Sequence, residues 1–133
     1  MRIKAIKFLF ILLAVLVCNG CTESPKITAS SQEALKLYNE GVRALERFYY
    51  DEAISAFKRA LQVDSNLAMA SARLALTYAH TGNEAESREE IRRAMTKSTS
   101  VSKEEQLFVR LVEHALYFRN AEAAAVADSL ISI

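Results

Sequence analysis

The sequence predicts an all-α protein of 133 residues, in which a short signal segment precedes a series of helix pairs. Apolar residues recur at intervals of three and four, as in Leu35, Tyr38, Val42 and Leu45, which is the period of a helix and not of a strand. Only three glycines and one proline are present, too few turn-forming residues for a many-stranded sandwich or barrel. The length is that of one domain.

The first twenty residues differ chemically from the rest. Three basic residues precede an uninterrupted apolar run of eleven residues at 8–18. Such a run is too short to cross a hydrocarbon core of about 30 Å as a helix that rises about 1.5 Å per residue. A basic segment, a short apolar segment and small residues are typical of a secretory signal, so we expect 1–20 to be a cleaved signal peptide. A buried N-terminal helix or a short membrane anchor is the alternative.

The end of this segment resembles the signal of bacterial lipoproteins, in which the cysteine after a small residue is lipidated and becomes the first residue of the mature chain. Gly20 and Cys21 fit that pattern, whereas Cys18 and Asn19 depart from it. Ordinary signal cleavage would cut the same bond without lipidation. The resemblance implies lipidation of Cys21, for example by palmitate, and an exported, membrane-anchored protein of the cell envelope. It would lie on an outer membrane, facing the periplasm, or on the outer face of a cytoplasmic membrane.

Removal of the signal changes the charge and the thiol content. Three of the 17 basic residues lie in the signal, so the mature chain carries 14 against 16 acidic residues, a net charge of −2. That charge argues against a nucleic-acid partner. Cys21 would be the only thiol left, which excludes an intramolecular disulfide and a multi-cysteine metal site. Because no glycine-rich phosphate loop or catalytic set is recognisable, we expect no enzyme, no cofactor, no metal and no small-molecule substrate.

Residues 21–30 contain the only proline and predict a flexible tether. Regular structure is expected to begin at Ser30, because Ser30 and Glu33 have the spacing of a capping box; Ser102 and Glu105 form a second one. The apolar period then predicts six helices, at about 31–47, 50–63, 66–80, 83–97, 102–118 and 121–132.

The fourth predicted helix is rich in charge. Glu84 with Arg88, and Glu89 with Arg93, stand four residues apart. This spacing indicates a solvated helix face with one or two ion pairs and not an acid–base site.

The predicted helices form pairs, and the pairs repeat every 34 residues. Gly41 and Ala75 keep this offset, as do Phe57 and Ile91. The period and the helix-turn-helix unit resemble the tetratricopeptide repeat (TPR). The residues at the packing and turn positions of that repeat are Gly41, Ala53, Phe57, Ala60, Ala75, Tyr78, Gly82, Ile91 and Ala94.

Four residues depart from the repeat pattern. In the first unit Ala44 stands for the usual tyrosine, Phe48 for the usual turn glycine and Ser65 for the usual closing proline; in the second, Ser87 stands at a small position. The resemblance divides the helical domain, 31–133, into units of about 34–67, 68–101 and 102–133. The last unit is incomplete or divergent, which suggests a truncated chain, further repeats or a partner that covers the end.

The resemblance implies a right-handed superhelical stack of antiparallel helix pairs, a TPR-like solenoid. It also implies a protein-binding adaptor or scaffold whose first helices line a groove for a hydrophobic or amphipathic partner segment. The candidate groove residues are Leu35, Tyr38, Val42, Leu45, Met69, Ala72, Leu76 and His80. One alternative is that these side chains pack only against a neighbouring helix or the tether and bind no partner. Another is that the chain is a structural subunit of a larger envelope complex, or a fragment of a longer protein.

Overall fold

The computed structural model describes residues 26–117 and 120–132. Within those ranges the chain forms helices and no strand, which confirms the all-α prediction. The helices are α1 at Gln32–Glu46, α2 at Tyr50–Val63, α3 at Ala68–His80, α4 at Glu84–Lys97, α5 at Lys103–Leu116 and α6 at Asn120–Ile131. A short 3-10 turn, Ser98–Ser100, connects α4 to α5. Every helix begins and ends within two residues of its predicted bounds.

Serine caps begin two of the helices. For α1 the cap is Ser31, whose hydroxyl accepts a hydrogen bond from the amide of Ala34 at 3.2 Å. This corrects the predicted cap at Ser30: counting from Ser31, the third helical position is an alanine, which has no carboxylate to complete a capping box. For α5 the predicted box is present: Ser102 accepts from the Glu105 amide at 3.3 Å, and the Glu105 carboxylate accepts from the Ser102 amide at 3.2 Å.

The helices pack as consecutive pairs, α1 with α2, α3 with α4, and α5 with α6. Connections of three residues, 47–49 and 81–83, reverse the chain within the first two pairs. Helix α3 is central, because it contacts α1 and α2 on one side and α5 on another. The buried core has two parts, and α3 contributes to both. One buried cluster joins α1 and α2 to α3, and a second joins α3 to α4 and α5.

The turns that end α1 and α3 have the same conformation, 34 residues apart. Phe48 has a φ of 62° and Gly82 a φ of 77°. In both turns the residue that follows, Tyr49 or Asn83, donates its amide proton to the carbonyl five residues earlier, at 2.9 Å. This is the Schellman ending of a helix, whose left-handed position favours glycine. Phe48 therefore occupies a glycine position.

We expect Phe48→Gly to raise the free energy of unfolding by about 1 kcal/mol. A side chain in the left-handed region costs roughly 1–2 kcal/mol, and Phe48, at 74% exposure, recovers little of that by burial. The matched control is Gly82→Ala, which should lower the free energy of unfolding by about 1 kcal/mol through the backbone alone, because its added Cβ would have no heavy atom within 4 Å. Urea unfolding followed by circular dichroism measures both changes. If Phe48→Gly has the same free energy of unfolding as the wild type, position 48 is not a glycine position.

Helices α1 and α2 approach each other most closely at Gly41. A Cβ built on Gly41 would lie 2.6 Å from the ring of Phe57. Phe57 is fully buried, as are Ala53 and Ala60, which lie one turn away from it on either side along α2. Small residues here allow the two backbones to approach while one ring fills the space between them.

The second pair meets the same packing requirement with different residues. Ala75 and Ile91 stand where the first pair has glycine and phenylalanine, and they are 0% and 1% exposed. Ala94 is also fully buried. The hydroxyl of Ser87 donates to the carbonyl oxygen of Ala75 at 2.8 Å, so the serine at this small position is buried with its polar group paired.

The predicted signal peptide, the lipidation residue Cys21 and the first part of the tether, 21–25, lie outside the described residues. Among the helices of the described part, none combines the length and apolar character needed to span a bilayer.

Residues 26–30, which we call the strap, lie in the predicted tether and form hydrogen bonds with distant parts of the helical domain. Thr28 bonds to Glu105, which is 77 positions away, and Ser30 bonds to Asp64, which is 34 positions away. Local composition indicates a loop here but carries no information on such distant acceptors.

Candidate functional site

The eight predicted groove residues lie on α1 and α3, and the structure separates them by burial. Tyr38, Met69 and Ala72 are 4%, 5% and 0% exposed. They belong to the two core clusters, and in this conformation they present almost no surface to a partner. The remaining five are half-buried or exposed: Leu35, Val42, Leu45, Leu76 and His80.

An arginine connects the first helices of the three pairs. The guanidinium of Arg73, on α3, lies 4.6 Å from the ring centroid of Phe108 on α5, a cation–π distance. The positive charge of Arg73 also acts on the hydroxyl of Tyr38 on α1. We call the surface formed by the half-buried residues Leu35, Arg73, Leu76 and Phe108 the first-helix face, whereas Tyr38, at 4% exposure, belongs to the core. Burial raises the pKa of Tyr38 above its ordinary value, while the charge of Arg73 opposes that shift.

The strap covers one end of the first-helix face. The amide of Thr28 donates to one carboxylate oxygen of Glu105 at 3.0 Å, and its hydroxyl donates to the other at 2.6 Å. Glu105 is only 2% exposed, and these donors, together with the capping bond, pair its buried carboxylate oxygens. The strap side chains Ile27 and Ala29 pack against the core cluster that contains Tyr38.

A second carboxylate holds the other end of the strap. The amides of Ser30 and Asn66 donate to Asp64 at 2.7 and 3.0 Å. Burial disfavours the charged form of Asp64, but these hydrogen bonds outweigh that effect, and the pKa of Asp64 is lowered below its ordinary value.

The lowered pKa of Asp64 gives a pH-dependent contribution to stability. Because the folded-state pKa lies below the unfolded-state value, this contribution is present above about pH 4 and is lost as the pH falls through the folded-state pKa. Asp64→Asn should lower the free energy of unfolding at pH 7 by about 1–2 kcal/mol, since two amides lose a charged acceptor, and the difference from wild type should shrink at pH 3.

Urea unfolding at the two pH values measures this difference, and Asp51→Asn, at an exposed position in the first turn of α2, is the control. A difference between wild type and Asp64→Asn that stays constant from pH 7 to pH 3 would show that the carboxylate charge is not responsible.

Two clefts adjoin the first-helix face. One, of about 480 Å³, lies between the strap and α1 and is lined by residues that include Ile27, Leu35 and Asn39. The other, of about 320 Å³, lies at the end of α3 and is lined by residues that include Leu76 and His80, together with parts of α4 and α5. Each cleft thus contains predicted groove residues and has both apolar and polar walls.

The charged face of α4 is as expected from the sequence. Glu84 and Arg88 form an ion pair at 2.8 Å, and Glu89 and Arg93 form one at 3.1 Å. All four side chains are substantially exposed, so each pair contributes little to stability. In residues 26–117 and 120–132 no three histidine, cysteine or acidic side chains are grouped so that they could hold a metal ion.

Three residues of this site were not identified from the sequence. Arg73 and Phe108 lie on the predicted helices, but nothing in their spacing marks them as a pair across two helices. Glu105 was recognised only as part of a capping box, and its contact with the strap depends on a residue 77 positions away. No protein-family model, curated protein or solved structure matches the chain. The functional proposal therefore rests on the 34-residue spacing of equivalent positions and on the contacts and surfaces of the chain itself.

Proposed function

We propose that this chain is a membrane-tethered interaction module, built as a right-handed stack of TPR-like helix pairs, that binds a hydrophobic or amphipathic segment of a partner protein. The observation that carries the proposal is the repetition of local structure at an interval of 34 residues. The left-handed turn residues, Phe48 and Gly82, keep this interval, and so do the close-packed positions Gly41 and Ala75. Repeated units of this kind are typical of solenoids that bind other proteins.

The partner site is proposed on the first-helix face and its two clefts. Leu76 and His80 contribute to the cleft at the end of α3, and the His80 ring stacks on that of Tyr50 with centroids 5.6 Å apart. An apolar wall with a few polar groups suits an amphipathic segment, whose apolar side chains enter the cleft while its polar side remains hydrated.

A site-specific photocrosslinker tests this site in cells that make the protein. Placed at position 76, it should give a discrete adduct with a partner, whereas the same group at the exposed position Gln62 on α2 should not. The alternative, a structural subunit that docks through its last helix, is favoured by the exposure of Ile131, which is 84%. An adduct from position 131 with none from position 76 would favour that alternative over the adaptor.

The membrane tether is proposed from the lipoprotein-like signal, with the lipid on Cys21 and the protein in the cell envelope. Confinement to a surface would raise the local concentration of the module near a partner on the same membrane. Cys21→Ser should abolish metabolic labelling with palmitate and release the protein from membranes, while Cys18→Ser, the matched control, should remain labelled. Labelling that survives in Cys21→Ser would rule out this anchor.

A further inference from the structure

The strap is bound to the helices as a peptide ligand would be. Thr28 offers its amide and its hydroxyl to the two oxygens of one carboxylate, that of Glu105, at 3.0 and 2.6 Å. Ser30 offers its amide to Asp64 at 2.7 Å. Paired donors on a carboxylate fix both the position and the direction of the segment that carries them.

The apolar side chains of the strap complete this resemblance to a ligand. Ile27 and Ala29 are half-buried and alternate with the exposed Thr28 and Ser30. They pack against the buried cluster that contains Tyr38, and Leu35, one of the predicted groove residues, packs against the same cluster. A chain with alternating inward and outward residues that bonds through its main chain is the form in which an extended peptide binds.

The strap is also suited to displacement. Its attachment includes three hydrogen bonds to the carboxylates of Glu105 and Asp64 and contacts from two half-buried apolar side chains. The entropy lost in ordering an otherwise extended, partly exposed segment offsets much of that gain. The cleft of about 480 Å³ beside it leaves room for a second segment to approach α1 before the strap leaves.

We propose that the strap is an internal competitor for the partner site, and that the partner presents an extended segment with an apolar, β-branched residue followed by threonine or serine. The hydroxyl and amide of that second residue replace those of Thr28 on Glu105. The segment carries no acidic residue at this point, because both acceptors, Glu105 and Asp64, are carboxylates. This inference rests on the proposed function, since it names the chemistry of the partner.

The test uses the strap sequence itself, supplied on a separate molecule. The probe is a fluorescein-labelled synthetic peptide of residues 24–31, Ser-Pro-Lys-Ile-Thr-Ala-Ser-Ser, added to the full chain in detergent micelles. Thr28→Val in the protein removes one charge-assisted bond of the strap and keeps its shape. It should lower the apparent Kd for the peptide by about five- to tenfold, measured by fluorescence anisotropy.

Thr99→Val is the matched control, because Thr99 is an exposed threonine in the turn between α4 and α5, and its hydroxyl donates only locally, to the carbonyl oxygen of Thr96 in the last turn of α4. It should leave the apparent Kd at the wild-type value. The same peptide with valine in place of threonine should bind Thr28→Val more weakly. Saturating peptide should also speed hydrogen exchange at the amides of Thr28 and Ser30 in the wild-type protein without affecting core amides.

Equal affinity of the three proteins for the peptide, or no binding to Thr28→Val, would overturn the proposal. This result is distinguishable from a failure of the proposed function, because the peptide assay needs no cellular partner. If the crosslinker at position 76 gives adducts but the peptide does not displace the strap, only the proposed competition by the strap is wrong. If the peptide displaces the strap but the crosslinker at position 76 gives no adduct, only the proposed adaptor function is wrong.

Discussion

Gly41→Ala is expected to lower the free energy of unfolding by about 2 kcal/mol, although alanine favours a helix over glycine by about 1 kcal/mol. The reason is the ring of Phe57, which would lie 2.6 Å from the added Cβ. The ring has nowhere to move, because Phe57 is fully buried between the two fully buried alanines of α2. Urea unfolding followed by circular dichroism measures the change.

The second helix pair supplies the rescuing substitution. At the equivalent positions it has Ala75 and Ile91, so a methyl group is accommodated where the opposing side chain is smaller than a ring. In a Phe57→Ile background, Gly41→Ala should therefore become neutral or stabilising, a coupling of about 2–3 kcal/mol between the two sites. If Gly41→Ala has the same effect in both backgrounds, close packing of the ring on the glycine is not what selects the residue.

Ala60→Arg is expected to lower the free energy of unfolding by more than about 4 kcal/mol, which is enough to unfold a protein of ordinary stability. Ala60 is fully buried in the cluster that joins α1 and α2 to α3. An arginine there would force the helices apart or leave its charge without water or a partner. We expect loss of the helical circular dichroism signal and of a cooperative thermal transition.

Gln62→Arg is the control for that substitution. Gln62 lies on the same helix but is exposed, so the same side chain should change the free energy of unfolding by less than about 0.5 kcal/mol. A folded and cooperative Ala60→Arg protein would be incompatible with the close helix crossing and with the TPR-like packing proposed for it.

The helices could be predicted almost completely from the sequence, because their signals are local. The apolar period placed each helix within two residues of its observed bounds, and the spacing of Ser102 and Glu105 predicted the cap of α5. The cap of α1 was placed one residue too early because two serines, Ser30 and Ser31, stand side by side. Only the hydrogen bonds of the folded chain distinguish them: Ser30 gives its amide to Asp64, and Ser31 caps the helix.

The candidate site could be predicted only in part. An apolar stripe on a helix shows that one face is covered, but it does not show whether a neighbouring helix or a partner covers it. Leu35 and Leu76 line clefts, whereas Tyr38 and Met69 are core residues. Arg73 could not be identified because its contacts are with two other helices, which its local sequence does not specify.

Local signals in the sequence were enough to predict that the described part of this protein is helical and where its helices lie, because backbone hydrogen bonds and side-chain periodicity act over a few positions. The tertiary structure alone decided which apolar residues remain accessible and that the strap lies on the first-helix face. Those properties depend on contacts between residues far apart in the sequence, such as Thr28 with Glu105. Such contacts form because buried polar groups must be paired, and the local sequence does not specify their partners.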